Sequence, residues 1–419
     1  MKITGIIAEY NPFHNGHGYQ LAKARELTGA DYLIVVMSGD FVQRGTPAIL
    51  EKHVRARFAL EHGADLVLEL PVRFSTASAM DFASGAVEVL DALQAVSFLC
   101  FGSESGNLEQ LSQAAEILER EPEAYRNTLQ AALRQGLSFP AARQRAFGVC
   151  LEGLENPCHG KGPSRPAQLA KISGQKDNGI AGLLESPNNI LGIEYLRALG
   201  RLNSPIRPVT LARTSDNYHS PQLEHQFASA TAIRRALAGT HPERIAGFVP
   251  EDVLGTLLEA ARNSALLWED DFSLPLKYQL LQCSPETLAG FLDVPRPLAN
   301  RICRHLDGFT GFGQFAELLK TRETTRTRIN RALLHILLQL DREPRPLSYL
   351  RILGFRKNSA PLLTYLKERS RLPLISRLTT LPADAIREDL FASNLYHSTL
   401  ACKTGVPRPD ERSHSLVIL

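Results

Sequence analysis

Two histidines three residues apart, His14 and His17, lie in the run Ala8-Glu9-Tyr10-Asn11-Pro12-Phe13-His14-Asn15-Gly16-His17-Gly18. The run follows a short β-branched segment, Ile3–Glu9, and opens an amphipathic stretch, Gly16–Leu27. A helix that begins there presents unpaired N–H groups and the positive end of its dipole, a ready seat for phosphate. Gly16 and Gly18 allow close backbone approach to a ligand. Around the first turn both imidazoles can face one phosphorus centre and donate hydrogen bonds to charge developing on its oxygens. On residue types alone, a turn carrying two surface histidines reads equally well. Strand, Asn-Pro turn, glycines and helix in succession favour the anion site. The chain has no Gly-x-x-x-x-Gly-Lys-Ser/Thr loop, and no Gly-x-Gly-x-x-Gly follows the first strand. P-loop phosphoryl transfer and dinucleotide-dependent redox chemistry are therefore disfavoured.

The elements that must hold these histidines alternate. Strands are expected at Ile3–Glu9, Tyr32–Met37, Leu66–Leu70, Val96–Phe101 and Ile206–Leu211. Helices are expected at Gly16–Leu27, Leu50–His62, Ala79–Leu93, Leu108–Arg120, Ala124–Arg134 and Asn188–Leu199. This pattern predicts an α/β fold, a Rossmann-like doubly wound parallel sheet whose ligands bind beyond the carboxyl ends of the strands. Residues 156–179, rich in Pro, Gly, Lys and Arg, predict a surface loop. After about Gly239 the strand signals stop, so the division expected is a nucleotide-binding domain at 1–240 and an α-helical C-terminal domain at 241–419.

Composition fits an ordinary globular protein of 419 residues, 44% hydrophobic and 22% charged. No apolar run approaches the roughly 20 residues that cross a bilayer. With no signal-peptide pattern at the start, a cytoplasmic protein without membrane partners is expected. Six scattered cysteines suggest reduced thiols. Cys150, Cys158 and His159 lack a companion pair to complete a zinc site, so no metal ligands are assigned. The net charge of +3 is uneven: residues 296–357 hold thirteen Lys/Arg against five Asp/Glu, an excess of +8. Charge alone does not distinguish an anion-binding region from a solvated basic face.

Beyond these patterns, His14-Asn15-Gly16-His17 resembles the His-x-Gly-His motif of the nucleotidylyltransferase superfamily. The longer string from Glu9 to His17 resembles the bacterial tRNA(Met) cytidine acetate ligases. So do Met37-Ser38-Gly39-Asp40-Phe41-Val42-Gln43-Arg44-Gly45, Asp65–Pro71, Phe101-Gly102-Ser103-Glu104, Pro187–Gly192 and Ala228–Arg234. The resemblance implies ATP contacts along Ile7, Ala8, Glu9, Tyr10, Asn11, Pro12, Phe13, His14, Asn15, Gly16, His17, Gly18, Tyr19 and Gln20. It implies further contacts at Gly102, Asn188, Arg213 and Thr214, with His14 and His17 catalytic. Gly102 ends the fourth strand, and Asn188 could equally be an N-cap. Ser229, Thr231 and Arg234 open a helix suited to departing pyrophosphate, or form a Ser cap beside a solvated arginine. Gln43-Arg44-Gly45 is expected to shape the substrate side.

In the second half Lys320, Arg322, Arg326, Arg328 and Arg331 run into an apolar helix. Arg328, Arg331 and His335 are expected to share a basic face suited to a phosphate backbone. The likeness resumes at Leu319-Lys320-Thr321, Thr327-Arg328 and Tyr349–Phe355. Glu323, Thr324, Thr325 and Arg326 stand where the family is more basic and aromatic. Implied by the resemblance is an ATP-dependent ligase that forms acetyl-adenylate and transfers acetyl to N4 of the wobble cytidine of elongator tRNA(Met). Mg²⁺ would accompany ATP, and no protein partner is expected. The rivals are a small-molecule adenylyltransferase acting on a phosphate ester and a non-catalytic RNA-binding protein.

Overall fold

The computed structural model describes residues 1–137, 139–155, 180–213 and 228–419. Ten strands occur among them: β1 Ile3–Ala8, β2 Tyr32–Ser38, β3 Phe41–Val42, β4 Thr46–Pro47, β5 Leu66–Leu70, β6 Phe98–Ser103, β7 Arg207–Ala212, β8 Leu350–Phe355, β9 Leu374–Ile375 and β10 Val417–Ile418. β3 and β4 form a small antiparallel ribbon, and the other eight make one sheet in the order β10-β8-β5-β2-β1-β6-β7, with β9 on β8. The five expected strands are all present and run parallel as consecutive neighbours, β7 forming one edge of the sheet. Alternation along β2 assigns its side chains to two faces, as strand geometry requires. Leu33, Val35 and Met37 pack with Leu21, Ala24, Ile233 and Leu257, whereas Ile34 and Val36 pack with Phe82, Leu90, Ile193 and Leu362. Burial on both faces explains why β2 is apolar without a break from Leu33 to Met37.

The expectation that strands end near residue 239 is corrected by β8, β9 and β10. The chain returns from the helices, and β8 pairs antiparallel with β5, Glu69 standing opposite Arg351. A buried Glu and a buried Arg on neighbouring strands satisfy each other, Nη1 of Arg351 donating to Oε2 of Glu69 at 2.7 Å. Read alone, Leu350–Phe355 carries an arginine amid apolar residues and lacks a period. Helix Phe139–Glu155 was also not anticipated. The loop expected at 156–179 lies outside the described residues.

Between the sheet's two contributions, residues 251–337 carry helices and no strand. Most of them close around Phe272, Leu276, Phe312, Phe315, Ile329 and Leu333. That core also takes Phe41 of the β3–β4 ribbon and Tyr396 of helix Arg387–Thr404. Gly45 makes the closest joint. Its φ is +74°, and a Cβ there would lie 2.4 Å from the backbone nitrogen of Arg331. Only glycine meets both conditions. The helix Arg326–Leu337 is thereby seated against the ribbon, beside the carboxyl end of β2.

Candidate active site

Helix Asn15–Thr28 starts at His14, whose extended backbone (φ −145°, ψ 171°) places it as the N-cap. Nδ1 of His14 accepts from the Gly16 N–H at 3.1 Å, and Nδ1 of His17 accepts from the His14 N–H at 3.2 Å. This is the reciprocal arrangement that Ser and Glu make in an ordinary capping box. It has a chemical consequence. With Nδ1 of each ring engaged as an acceptor, a neutral imidazole carries its proton on Nε2. Burial keeps both rings neutral, helped by the guanidinium of Arg213. His14 is pushed down to about 3 and His17 well below its ordinary range, His14 itself adding to the depression at His17 and Arg234 to that at His14. The rings stack 3.7 Å apart and line the same cleft. The pair offers two fixed Nε2–H donors and no positive charge of its own.

The cleft is a cavity of about 480 Å³ over the carboxyl ends of β1 and β6. The structure brings to it, from the residues singled out in the sequence, Ile7, Ala8, Glu9, Tyr10, Asn11, His14, His17, Gln20, Gly102, Asn188, Arg213, Ser229, Thr231 and Arg234. It does not bring Pro12, Phe13, Asn15, Gly16, Gly18 or Tyr19 to the lining. Phe13 is buried against the rings of Tyr10 and His62, and Asn15 faces away, Nδ2 donating to the Gly247 carbonyl at 2.8 Å. Gly16 acts through its N–H on His14. Thr214 lies outside the described residues.

Asn188 is not an N-cap. It sits inside helix Pro187–Arg201, its Nδ2 donating to Oε1 of Glu104 at 2.7 Å and its Oδ1 accepting from Arg213 at 3.4 Å. The side chain thus ties the end of β6 to the end of β7 at the wall of the cleft. Ser229 is both cap and lining, its Oγ accepting from the Ala232 N–H at 3.1 Å. Arg234 is far from a solvated arginine. Nη1 donates to the Asn11 carbonyl at 2.6 Å and Nη2 to Oγ1 of Thr231 at 3.2 Å, which holds the guanidinium between two lining segments.

Several lining residues were not read from the sequence as site residues. Phe101, Pro187, Ile190, Leu191 and Tyr195 make an apolar wall, and Thr327 reaches the cleft from the helical body beside Arg331, which the sequence had singled out for RNA rather than for this cleft. Position just before Gly102 at a strand end was the available signal for Phe101. Gln43 and Arg44 line the cleft, and the Gln43 N–H donates to Oε1 of Glu9 at 2.9 Å.

The expected basic helix face is corrected. His335 is wholly buried, bonded to Thr76 and to the Leu292 carbonyl, and Ala332, Leu334 and Ile336 are buried on the remaining sides. Nε of Arg331 donates to Asp293 at 3.2 Å, and Arg326 pairs with both Glu269 and Glu317. Lys320 stands 3.8 Å from Glu317. Arg322 and Arg328 are exposed. No helix among the described residues is long and apolar enough to cross a membrane.

Among known proteins, the family model described as HIGH Nucleotidyl Transferase matches residues 1–408. A protein of Caldanaerobacter subterraneus subsp. tengcongensis named tRNA(Met) cytidine acetate ligase is 38% identical over 413 residues, covering 96% of each chain. One of the same name from Acetivibrio thermocellus is 37% identical over 392 residues, 90% of this chain and 89% of that one. Thermotoga maritima TmcAL in its apo form superposes with a TM-score of 0.87 at 30% identity, and TmcAL bound with alpha-thio ATP with 0.85 at 30% identity, each over the whole of both chains. The chain belongs to the HIGH nucleotidyl transferase family and, within it, to the group whose curated members are named tRNA(Met) cytidine acetate ligase.

Proposed function

We propose that this protein binds ATP in the His14–His17 cleft, activates acetate as acetyl-adenylate, and passes the acetyl group to N4 of the wobble cytidine of elongator tRNA(Met). The observation that carries the reading is the pair of neutral histidines, each held as an Nε2–H donor, in a cleft shared with Arg213 and Arg234. A carboxylate oxygen of acetate attacks the α-phosphorus. The new P–O bond forms as the bridging P–O bond breaks and pyrophosphate leaves with the electron pair. His14 and His17 donate to the α-phosphoryl oxygens as their charge grows, an interaction stronger in the transition state than in bound ATP. Ser229, Thr231 and Arg234 receive the pyrophosphate at the start of helix Ala230–Ala238. The apolar wall of Phe101, Ile190 and Leu191 suits an adenine ring.

In the second step the exocyclic amine attacks the acetyl carbon, AMP departs, and the nitrogen loses its proton. The mixed anhydride is reactive enough that no enzyme nucleophile is required. Mg²⁺ fits as a companion of the nucleotide. Glu9 is the one carboxylate among the described lining residues and it is engaged by Gln43, so the phosphates rather than a protein cage would hold the ion.

Residues 1–240 carry the nucleotide chemistry in this reading, and the helices after 241 carry RNA recognition in the cytoplasm. Arg322, Arg328 and Lys320 supply exposed positive charge for tRNA phosphates. Arg326 is tied down by two carboxylates, and Arg331 stands at the cleft, where RNA and adenylate would meet. A wobble base sits in a single-stranded loop and is splayed out at less cost than a duplex base. The experiment is mass spectrometry of tRNA nucleosides after incubation with ATP and isotopically labelled acetate. Labelled N4-acetylcytidine is expected. Pyrophosphate exchange that responds to a phosphate ester and not to acetate would establish the small-molecule adenylyltransferase instead.

A further inference from the structure

A second group of histidines and carboxylates lies outside the nucleotide cleft, where helix Lys52–Glu61, helix Arg387–Thr404 and the C-terminal segment meet. Lys52, at its base, donates to Glu69 at 2.6 Å and to Ser393 at 2.7 Å, and lies 3.2 Å from Glu411. Arg351 pairs with Glu69 and Glu411. These are ordinary buried pairs whose hydrogen bonds are satisfied. The layer above them is different. His397 is 3% exposed, and neither of its ring nitrogens has a hydrogen-bond partner among the described residues. Nor have Oε2 of Glu51, Oε2 of Glu411 or Oδ2 of Asp40, all buried atoms. Buried polar atoms are nearly always satisfied, so this many orphans at one place call for a missing partner.

Their spacing says what kind. Nε2 of His397 lies 3.7 Å from Oε2 of Glu51, too far for a hydrogen bond. Two donors held on one ion at about 2.0–2.2 Å in tetrahedral array stand roughly 3.3–3.6 Å apart. One ligand atom each from Glu51, His397 and His414 lie within 4.8 Å of one another. Nδ1 of His397 faces Oε2 of Glu411 at 3.8 Å, with Asp40 beside it. That separation is also beyond a hydrogen bond, so both nitrogens of His397 face carboxylate oxygens they do not reach. Charge agrees as well. Asp40, Glu51, Glu69 and Glu411 bring four negative charges, and Lys52, Arg55 and Arg351 bring three positive ones. Arg55 spends its hydrogen bonds on the carbonyls of Glu9, Ser38, Gly39 and Leu50 rather than on these carboxylates.

We propose that Glu51, His397 and His414 form a binding site for a divalent transition-metal ion of the zinc class, with Glu411 facing the other nitrogen of His397. Two imidazoles and a carboxylate are a donor set suited to zinc. The ion clamps three segments distant in sequence: the residue preceding helix Lys52–Glu61, the C-terminal helix and the tail that carries β10. Its role is to fasten the C-terminal helix and the tail to the residue that precedes helix Lys52–Glu61.

The test uses the full chain, with any purification tag removed, loaded with zinc sulfate and dialysed against metal-free buffer. Elemental analysis is expected to find one zinc per chain in the wild type and less than about a tenth of that in His397→Gln and His414→Asn, with His241→Asn retaining it. His414 is only partly buried, so His414→Asn keeps the test decisive if His397→Gln fails to fold. One equivalent of zinc sulfate is expected to raise the melting temperature of the stripped wild type and not that of His414→Asn. Retention of zinc by His414→Asn at the wild-type level would overturn the assignment. So would a wild type that keeps no zinc and melts identically with zinc sulfate or chelator.

Discussion

The nucleotide cleft and the basic helix Arg326–Leu337 both carry cationic and imidazole side chains at helical spacing, yet they use them in opposite ways. In the cleft, His14 and His17 are fixed by backbone N–H groups two or three residues away, so their spacing in sequence is the cause of their geometry. In the helix, Arg326, Arg331 and His335 are fixed by Glu269, Asp293 and Thr76, each 38 or more residues distant. A short motif is therefore informative where its own backbone supplies the partners. It misleads where remote segments do.

The largest effect expected is at the first of these regions. His14→Ala or His17→Ala is expected to lower acetate-dependent pyrophosphate exchange by about 10²-fold or more, with much less change in ATP affinity. Loss of the cap at His14 would itself cost about 1 kcal/mol of stability. His14→Asn separates the two roles, because Asn caps helices well but places no donor where Nε2 stands. It is expected to melt close to the wild type while exchanging as poorly as His14→Ala. Wild-type exchange by His14→Asn would reduce the histidine to a cap.

The joint between the regions comes next. Gly45→Ala combines a positive φ with a clash against the Arg331 backbone, and about 2 kcal/mol of destabilisation is expected. The measurement is the denaturant midpoint. Because Arg331 and Gln43 both line the cleft, exchange activity should fall as well. A variant with unchanged midpoint would mean that ribbon and helix do not depend on this contact.

Acid sharpens the contrast further. The folded pKa of His14 is depressed to about 3 from an ordinary 6.5. Below pH 6.5 the unfolded chain takes up a proton that the folded chain refuses, so stability is full above 6.5 and is lost as pH falls towards 3. For each such histidine the slope is about 1.4 kcal/mol per pH unit within that window. Replacing His14 with Asn is expected to flatten this dependence in equilibrium denaturation. Exchange activity is expected to show no ionisation near 6.5, since the donors are already neutral there. A rate that falls with a midpoint near 6.5 would place a charged histidine in the mechanism.

How far the sequence carries is visible in the same residues. The five parallel strands were legible because each is a short run rich in β-branched and apolar residues that alternates with an amphipathic helical stretch, and the His14 helix because glycine and histidine mark its start. β8 was not, because Arg351 interrupts its apolar pattern and only the partner Glu69, 282 residues away, makes that arginine tolerable in a sheet. Most polar residues of the cleft were legible through the family likeness. The apolar wall was not, since Pro187, Ile190, Leu191 and Tyr195 read as an ordinary helix face until β6 and β7 define what they enclose, and Arg331 was legible as a basic residue but not as one that lines this cleft.

The smallest effect expected concerns RNA, and it asks which cations of the second region remain available to a partner. Arg322 and Arg328 are exposed, while Arg326 holds Glu269 and Glu317. If the exposed pair contacts phosphates, replacing both with Ala should make the slope of log K against log salt shallower by about 1.4 to 1.8, spanning single-strand and duplex charge densities. Acetate-dependent exchange without RNA should persist, because neither side chain lines the cleft. Arg326→Ala predicts the reverse. Its two ion pairs are about two-fifths exposed, so the loss of stability is small, and the salt slope should match the wild type. Equilibrium binding of elongator tRNA(Met) at several salt concentrations measures both. An unchanged slope in a folded Arg322/Arg328 double variant would exclude this helix as the RNA surface. A shallower slope for Arg326→Ala would show that tRNA displaces Glu269 and Glu317, turning a structural pair into a recognition element.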